Sequence, residues 1–301
     1  MSTATLKLNT GAEIPALGLG TWQSKPSEVY DAVLTALNTG YKHIDAAFIY
    51  GNEKEVGQAI KDSGVPRSEL FITTKLWNNS HRPEDVEAAL EKSLELLGLD
   101  YVDLYLMHWP IAFKAGEDLM PKDAEGKCLF DETDFPETYA AMEKLNKEKA
   151  RAIGVSNFTV EKLEKLAKTQ KIVPAANQVE LHPYLPQEEL VKYCKDHGIL
   201  VTAYSPLGST NSPFLNDESV AKIAEKYNST PASVLISWGL KRGYAVIPKS
   251  VTPARIISNF QTVELSDEDF EALNKLVKSG KPQRLVDPFS FWGVDVFGEH
   301  N

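Results

Sequence analysis

The chain has 301 residues, 43% of them apolar and 25% charged, with 32 Lys and Arg against 42 Asp and Glu. The formal charge of −10 argues against a surface that neutralises phosphodiester backbones, so no nucleic-acid partner is expected. No apolar run reaches the ~20 residues that cross a bilayer, which argues against a membrane span.

Met1–Leu8 lacks the basic and then apolar regions of a signal peptide. Cys128 and Cys194, the only cysteines, have neither CxxC nor Cys/His spacing. No disulfide framework or zinc site is expected, and the setting reads as reducing and cytosolic. Thr5-Leu6-Lys7-Leu8 alternates, turns through Asn9-Thr10-Gly11 and returns as Ala12-Glu13-Ile14, the pattern of a hairpin. Eight short β-rich runs follow: Ala16–Gly20, Tyr41–Asp45, Leu70–Lys75, Val102–His108, Arg151–Ser156, Ala175–Glu180, Leu200–Ser205 and Tyr244–Pro248. Between them apolar residues recur at helical spacing, as in Val29, Val33, Leu34, Leu37 and again in Val86, Leu90, Leu94, Leu97. Pro83 before Glu84-Asp85, and Pro253, suit helix starts.

No linker, low-complexity tract or charge block divides the chain, so residues 1–301 read as one domain. Nearly continuous apolar strands alternating with helices describe parallel strands buried on both faces, and eight of them predict an α/β (β/α)8 TIM barrel. The open-sheet alternative lacks its fingerprint, because Gly18-Leu19-Gly20 runs into Thr21-Trp22-Gln23 and never completes G-x-G-x-x-G. Walker A and G-x-S-x-G patterns are also missing.

In such a barrel, chemistry gathers at the C-terminal ends of the strands. Those ends offer Trp22, Asp45, Lys75, His108, Ser156-Asn157, Gln178, Tyr204-Ser205 and Lys249-Ser250, with Tyr50 five residues after Asp45. Each has an ordinary explanation alone: a helix cap for Asp45, an exposed amine for Lys75, packing for Tyr50, a hydrogen-bonded core imidazole for His108. Barrel closure brings all four to one mouth. A carboxylate keeps a neighbouring ammonium charged, and that ammonium favours phenolate, so the Tyr50 pKa is expected to fall from about 10 toward working pH. Tyr50 would then protonate a developing alkoxide while neutral His108 holds the carbonyl oxygen. The set suits carbonyl reduction, given a hydride source. An aldolase-like reading, with Lys75 as Schiff-base nucleophile, uses the same barrel.

The sequence resembles the aldo-keto reductases, in the branch of aldose and aldehyde reductases. The resemblance rests on Gly18–Trp22, His43-Ile44-Asp45-Ala46-Ala47-Phe48-Ile49-Tyr50-Gly51-Asn52-Glu53, Leu104–Pro110, Gly154–Phe158, Asn177–Pro183, Ala203–Gly208 and Ile247–Pro253, in order and at family spacing. It implies a barrel that binds NADPH/NADP+ in an extended pose, a small-molecule carbonyl substrate, and Asp45, Tyr50, Lys75 and His108 as the catalytic tetrad. It also implies that Trp22, Ile49 and Trp109 line the substrate pocket with Trp292 of the tail, that Ser156, Asn157 and Gln178 hold the nicotinamide carboxamide, and that Tyr204 stacks on its ring. Gly20, Thr21, Trp22, Ser205 and Leu207 belong to the implied cofactor site, and Lys249, Ser250, Val251, Thr252, Arg255, Ser258 and Asn259 to its adenosine end. A 2′-phosphate needs cationic, multidentate partners, so Lys249 and Arg255 favour NADPH over NADH.

Three departures stand out: Ser258 replaces a frequent glutamate, Phe48 replaces a frequent histidine, and the Ser209–Asn216 connection is short, so faster cofactor release is expected. The tail, with Phe289, Phe291, Trp292 and Phe297, resembles that of fungal NADP-dependent glycerol dehydrogenases and glyceraldehyde reductases. The family's channel-associated members make a second reading available, a non-enzymatic NADPH-sensing subunit.

Overall fold

The computed structural model describes residues 4–208, 212–277 and 283–300. Residues 209–211 of the short Ser209–Asn216 connection, and Asn301, therefore lie outside the described residues. The alternating amino-terminal stretch forms an antiparallel hairpin, β1 (Thr5–Lys7) against β2 (Glu13–Pro15), with Leu6 opposite Ile14. Eight strands then pair in chain order, every pair parallel: β3 (Leu19–Gly20), β4 (His43–Asp45), β5 (Phe71–Leu76), β6 (Leu104–Met107), β7 (Ile153–Ser156), β8 (Ala176–Glu180), β9 (Leu200–Tyr204) and β10 (Ala245–Val246). The two edges meet. Parallel bridges join Leu17 to Val246 and Gly20 to Lys249, and the Val246 amide donates to the Ala16 carbonyl at 2.7 Å. The result is the expected (β/α)8 barrel. Apart from β5, which keeps its length and shifts by one residue, its strands are shorter than the runs from which they were read, and at β3 and β10 isolated bridges replace a continuous ladder.

The described helices are α1 (Pro26–Thr39), α2 (Glu53–Asp62), α3 (Val86–Leu97), α4 (Phe135–Met142), α5 (Val160–Ala167), α6 (Glu188–Asp196), α7 (Glu218–Lys226), α8 (Pro231–Lys241), α9 (Pro253–Asn259), α10 (Asp267–Asn274) and α11 (Pro288–Trp292). The periodic residues do what their spacing implies: Val29, Val33 and Leu37 of α1 and Val86, Leu90, Leu94 and Leu97 of α3 are buried against the sheet. Pro253 opens α9, but Pro83 does not open a helix. It sits in a turn where the Asp85 amide bonds the Arg82 carbonyl at 2.9 Å, and α3 proper begins at Val86. Gly57 is required by close approach, since a Cβ there would lie 1.9 Å from the Leu97 carbonyl oxygen.

The two ends of the barrel differ in chemistry. Leu8 and Ile14 of the hairpin pack on Phe71, Leu104, Ala152, Ala175 and Ala245, at or beside the starts of the strands, and close that end with apolar surface. The opposite end carries the polar residues. Among the described residues, both cysteines are free, no cluster of metal-ligating side chains occurs, and no helix is long and apolar enough to cross a membrane.

Candidate active site

A cavity of about 970 Å³ opens at the C-terminal ends of the strands. Its floor is built from neighbouring strands. Asp45 ends β4 in register with Thr73 of β5, and Lys75, two residues further along, falls on the same face, so barrel pairing brings the two side chains together. Lys75 Nζ donates to Asp45 Oδ1 at 2.5 Å, to the Ala46 carbonyl at 2.8 Å and to Tyr50 Oη at 3.4 Å. Tyr50 comes from the 3-10 turn Phe48–Tyr50, whose exit at Gly51 (φ 66) leads into α2. His108 follows β6, its ring edge-on to Tyr50 at 5.7 Å and to Trp77 at 5.2 Å. Asp45, Tyr50 and His108 line the cavity; Lys75, fully buried, reaches it only through them.

Electrostatics corrects one expectation. Burial pushes the Tyr50 hydroxyl well above the usual tyrosine range, and the Asp45 charge adds to the rise. The attraction of Lys75 for phenolate does not overcome this, because removing a phenolate from water costs more than one partly neutralised ammonium returns. Lys75 is itself lowered by burial and held up by Asp45. His108 lies well below the ordinary histidine range through burial, then through the Lys75 charge, and is a neutral imidazole. Its Nδ1 is buried without a partner, which leaves Nε2 as the ring nitrogen for a ligand.

Beside this floor, Ser156, Asn157, Gln178 and Tyr204 form one hydrogen-bonded group. Gln178 Nε2 donates to Asp45 Oδ2 at 2.7 Å, Ser156 Oγ to the Gln178 carbonyl at 2.7 Å, and Tyr204 Oη to Asn157 Oδ1 at 2.8 Å. Asn157 Nδ2 donates in turn to the His108 carbonyl at 2.9 Å, with the residue held at φ 64. Gly20, Thr21, Ser205 and Leu207 line the same cavity, and the Thr21 hydroxyl bonds the Asp45 carbonyl at 2.8 Å. So do Lys249, Ser250, Val251, Thr252, Arg255, Ser258 and Asn259. Here the cations are accessible: Lys249 Nζ donates to the Gln23 carbonyl at 3.3 Å and feels the Glu28 charge, and Arg255 is exposed with no side-chain partner among the described residues.

The aromatic residues gather on one wall of the cavity. Trp109 and Trp292 meet edge to face at 5.1 Å, and Ile49 and the rim residue Trp22, 37% exposed, complete the lining. The tail therefore does not merely coat the barrel. Trp292 is buried and Phe297 packs on Trp109 at 6.1 Å, but Phe289 and Phe291 remain half exposed.

Every sequence-predicted site residue except Lys75 thus lines one cavity. Several lining residues were missed. Trp77 is one, its ring against both His108 and Trp292 and its Nε1 donating to the Leu119 carbonyl at 2.7 Å. It was legible, standing two residues beyond Lys75 just past a strand end. Thr230, Pro231 and Ala232, at the start of α8, and Val286 of the tail carried no such signal.

Comparison with known proteins agrees with this geometry. Residues 16–278 match the sequence profile described as the Aldo/keto reductase family. The chain is 53% identical over 298 residues to a glycerol 2-dehydrogenase (NADP(+)) of Saccharomyces cerevisiae, covering 95% of each chain. It is 47% identical to a D/L-glyceraldehyde reductase of Hypocrea jecorina, over 98% of this chain and 95% of the relative. The solved aldose reductase of Schistosoma japonicum superposes with a TM-score of 0.92 at 40% identity, over 99% of this chain and 100% of that one. Closed barrel, polar strand ends and sequence match over most of the length lead to one conclusion: the chain belongs to the aldo/keto reductase family.

Proposed function

We propose that this chain, acting as one domain, is an NADPH-dependent reductase of aldehydes and aldoses, reversible as an NADP-dependent alditol or glycerol dehydrogenase. The observation that carries the reading is Lys75 Nζ placed 2.5 Å from Asp45 and 3.4 Å from Tyr50, on the floor of a cavity wide enough for a cofactor and a small carbonyl compound. The names of the relatives, an NADP-dependent glycerol dehydrogenase and a glyceraldehyde reductase, support the substrate class.

The residues present suit the cofactor. Among the described residues neither Lys249 nor Arg255 forms a salt bridge, which leaves both cations available as the donor set that a 2′-phosphate requires. Ser156, Asn157 and Gln178 supply amide and hydroxyl groups for the carboxamide, and the Tyr204 ring lines the cavity beside them. NADPH, when bound, supplies the hydride to the carbonyl carbon.

The rest of the chemistry belongs to the protein. Tyr50, kept neutral by burial, holds its proton until negative charge develops on the carbonyl oxygen, and then donates it. Lys75 faces the resulting phenolate with an ammonium group, and Asp45 keeps that ammonium charged. Neutral His108 offers an Nε2–H to the same oxygen, so charge accumulates against a preorganised donor rather than water. Trp77, Trp109 and Trp292 exclude water around the reacting carbon.

Tyr50→Phe tests the assignment. It removes the proton donor and retains the ring, so NADPH binding stays and glyceraldehyde reduction, followed by loss of NADPH absorbance, falls by about a thousandfold. Near wild-type turnover in that variant would remove Tyr50 from the mechanism. A wild-type protein that binds NADPH but reduces no aldehyde would favour the cofactor-sensing reading.

A further inference from the structure

Glu180 has no part in the chemistry proposed above, yet its carboxylate is fully buried at the end of β8. A buried carboxylate is stable only when charge-assisted hydrogen bonds replace its hydration. Most of those bonds come from the tail. The Leu285 amide donates to Oε1 at 2.9 Å and to Oε2 at 3.2 Å, and the Val286 amide to Oε2 at 2.9 Å. His182 Nε2 lies 2.8 Å from Oε1, itself fully buried, with Phe214 packed on its ring at 4.6 Å.

Among the described residues the tail pairs with no strand of the barrel; farther along, its aromatic rings pack on Trp77, Trp109 and Phe113 and Lys162 Nζ donates to the Val296 carbonyl at 2.6 Å, while the Glu180 bonds fix its entry at Leu285 and Val286. Gln283 bonds the Tyr184 carbonyl at 2.8 Å, and Arg284, paired with Glu299, adds its positive charge near Glu180 from the tail side. Two residues after Leu285, Asp287 caps α11, which delivers Phe291 and Trp292 to the cavity; Val286 already lines it. The start of this wall is therefore tied to the barrel where one buried carboxylate meets two backbone amides, and aromatic packing holds the rest.

We propose that Glu180 is a positioning residue for substrate recognition, holding the Val286–Trp292 wall at the depth that an aldehyde with an aromatic or other bulky substituent requires. The proposal rests on the reductase reading of the same cavity. Glu180 touches neither substrate nor cofactor and acts through the tail.

The experiment compares Glu180→Gln with the wild-type protein. Glutamine keeps the volume but loses the charge and one acceptor. The expected result is a KM for benzaldehyde raised by about tenfold, with kcat and the NADPH dissociation constant changed by less than about twofold. In a double-mutant cycle with Trp292→Ala, the KM effect of Glu180→Gln should vanish, because the wall on which it acts is gone. Hydrogen exchange should quicken at the Leu285 and Val286 amides and leave β8 protected. If Glu180→Gln does not fold, Val286→Pro removes one donor from the tail side and should raise the same KM. An unchanged KM in a folded variant, a loss confined to kcat, or a full KM effect in the Trp292→Ala background would overturn the proposal. If the wild-type protein reduces no aldehyde, the reductase reading fails on its own account, and exchange at Leu285 and Val286 still decides whether Glu180 holds the wall.

Discussion

The two halves of the cavity handle charge in opposite ways. On the floor, the Lys75 ammonium is fully buried and all its hydrogen bonds are spent on Asp45, Ala46 and Tyr50. At the Lys249–Arg255 end the cations are exposed and form no salt bridge among the described residues. The difference matches the roles proposed for the two halves. A group that must stabilise charge during a reaction works best when already desolvated and oriented, because nothing then has to reorganise. A group that must capture a charged ligand has to be available to it.

Removing one member of each half separates the roles. Lys75→Met leaves Asp45 as an uncompensated buried carboxylate beside Tyr50. Turnover should fall by about a thousandfold and unfolding free energy by about 3–5 kcal/mol, read by steady-state kinetics and urea denaturation. Full stability in that variant would mean the pair is far less desolvated than its burial implies.

Glu53 probes the desolvation directly behind the floor. Its buried carboxyl accepts from Thr74 Oγ1, and burial raises its pKa from 4.5 to about 7. The folded state thus prefers the neutral acid. Stability from this group is complete at low pH and is lost as pH rises through about 7, a cost approaching about 3 kcal/mol by pH 8. Glu53→Gln should therefore gain stability over wild type at pH 8 and little at pH 5; equal gains at both would contradict a buried ionisation.

Arg255→Ala is the counterpart at the open end. The KM for NADPH should rise by about 10- to 100-fold, kcat should hold, and any activity with NADH should be unaffected. Equal losses with both cofactors would show that Arg255 does not read the 2′-phosphate. The smallest effect concerns pH. With Tyr50 raised by burial, the reduction rate should vary by less than about threefold between about pH 6 and 9. A decline centred near pH 8 would restore the lowered phenol that charge pairing alone predicts.

That difference marks where linear reading stops. Asp45, Lys75 and His108 were legible because a strand's end can be read from its apolar run, and closure of a barrel brings strand ends together whatever the details. Tyr50 was legible only through its distance from Asp45 and the family resemblance. Its raised pKa was not, because burial depends on which walls surround the ring, and Trp292, part of that pocket's aromatic wall, comes from the far end of the chain. The same applies to Glu180, read as the last residue of a strand and revealed as an anchor only by Leu285 and Val286, over a hundred positions away.

The sequence by itself determined the eight-strand alternation, the identity of the strand-end side chains and the presence of Lys249 and Arg255 close together in the chain. These follow from local periodicity and residue chemistry, which need no partner to be recognised. Only the tertiary structure decided how deeply each charge is buried, which atoms it meets and where the tail rests on the barrel. Desolvation and long-range hydrogen bonding are properties of what surrounds a group, and in this chain those surroundings are assembled from segments far apart in sequence.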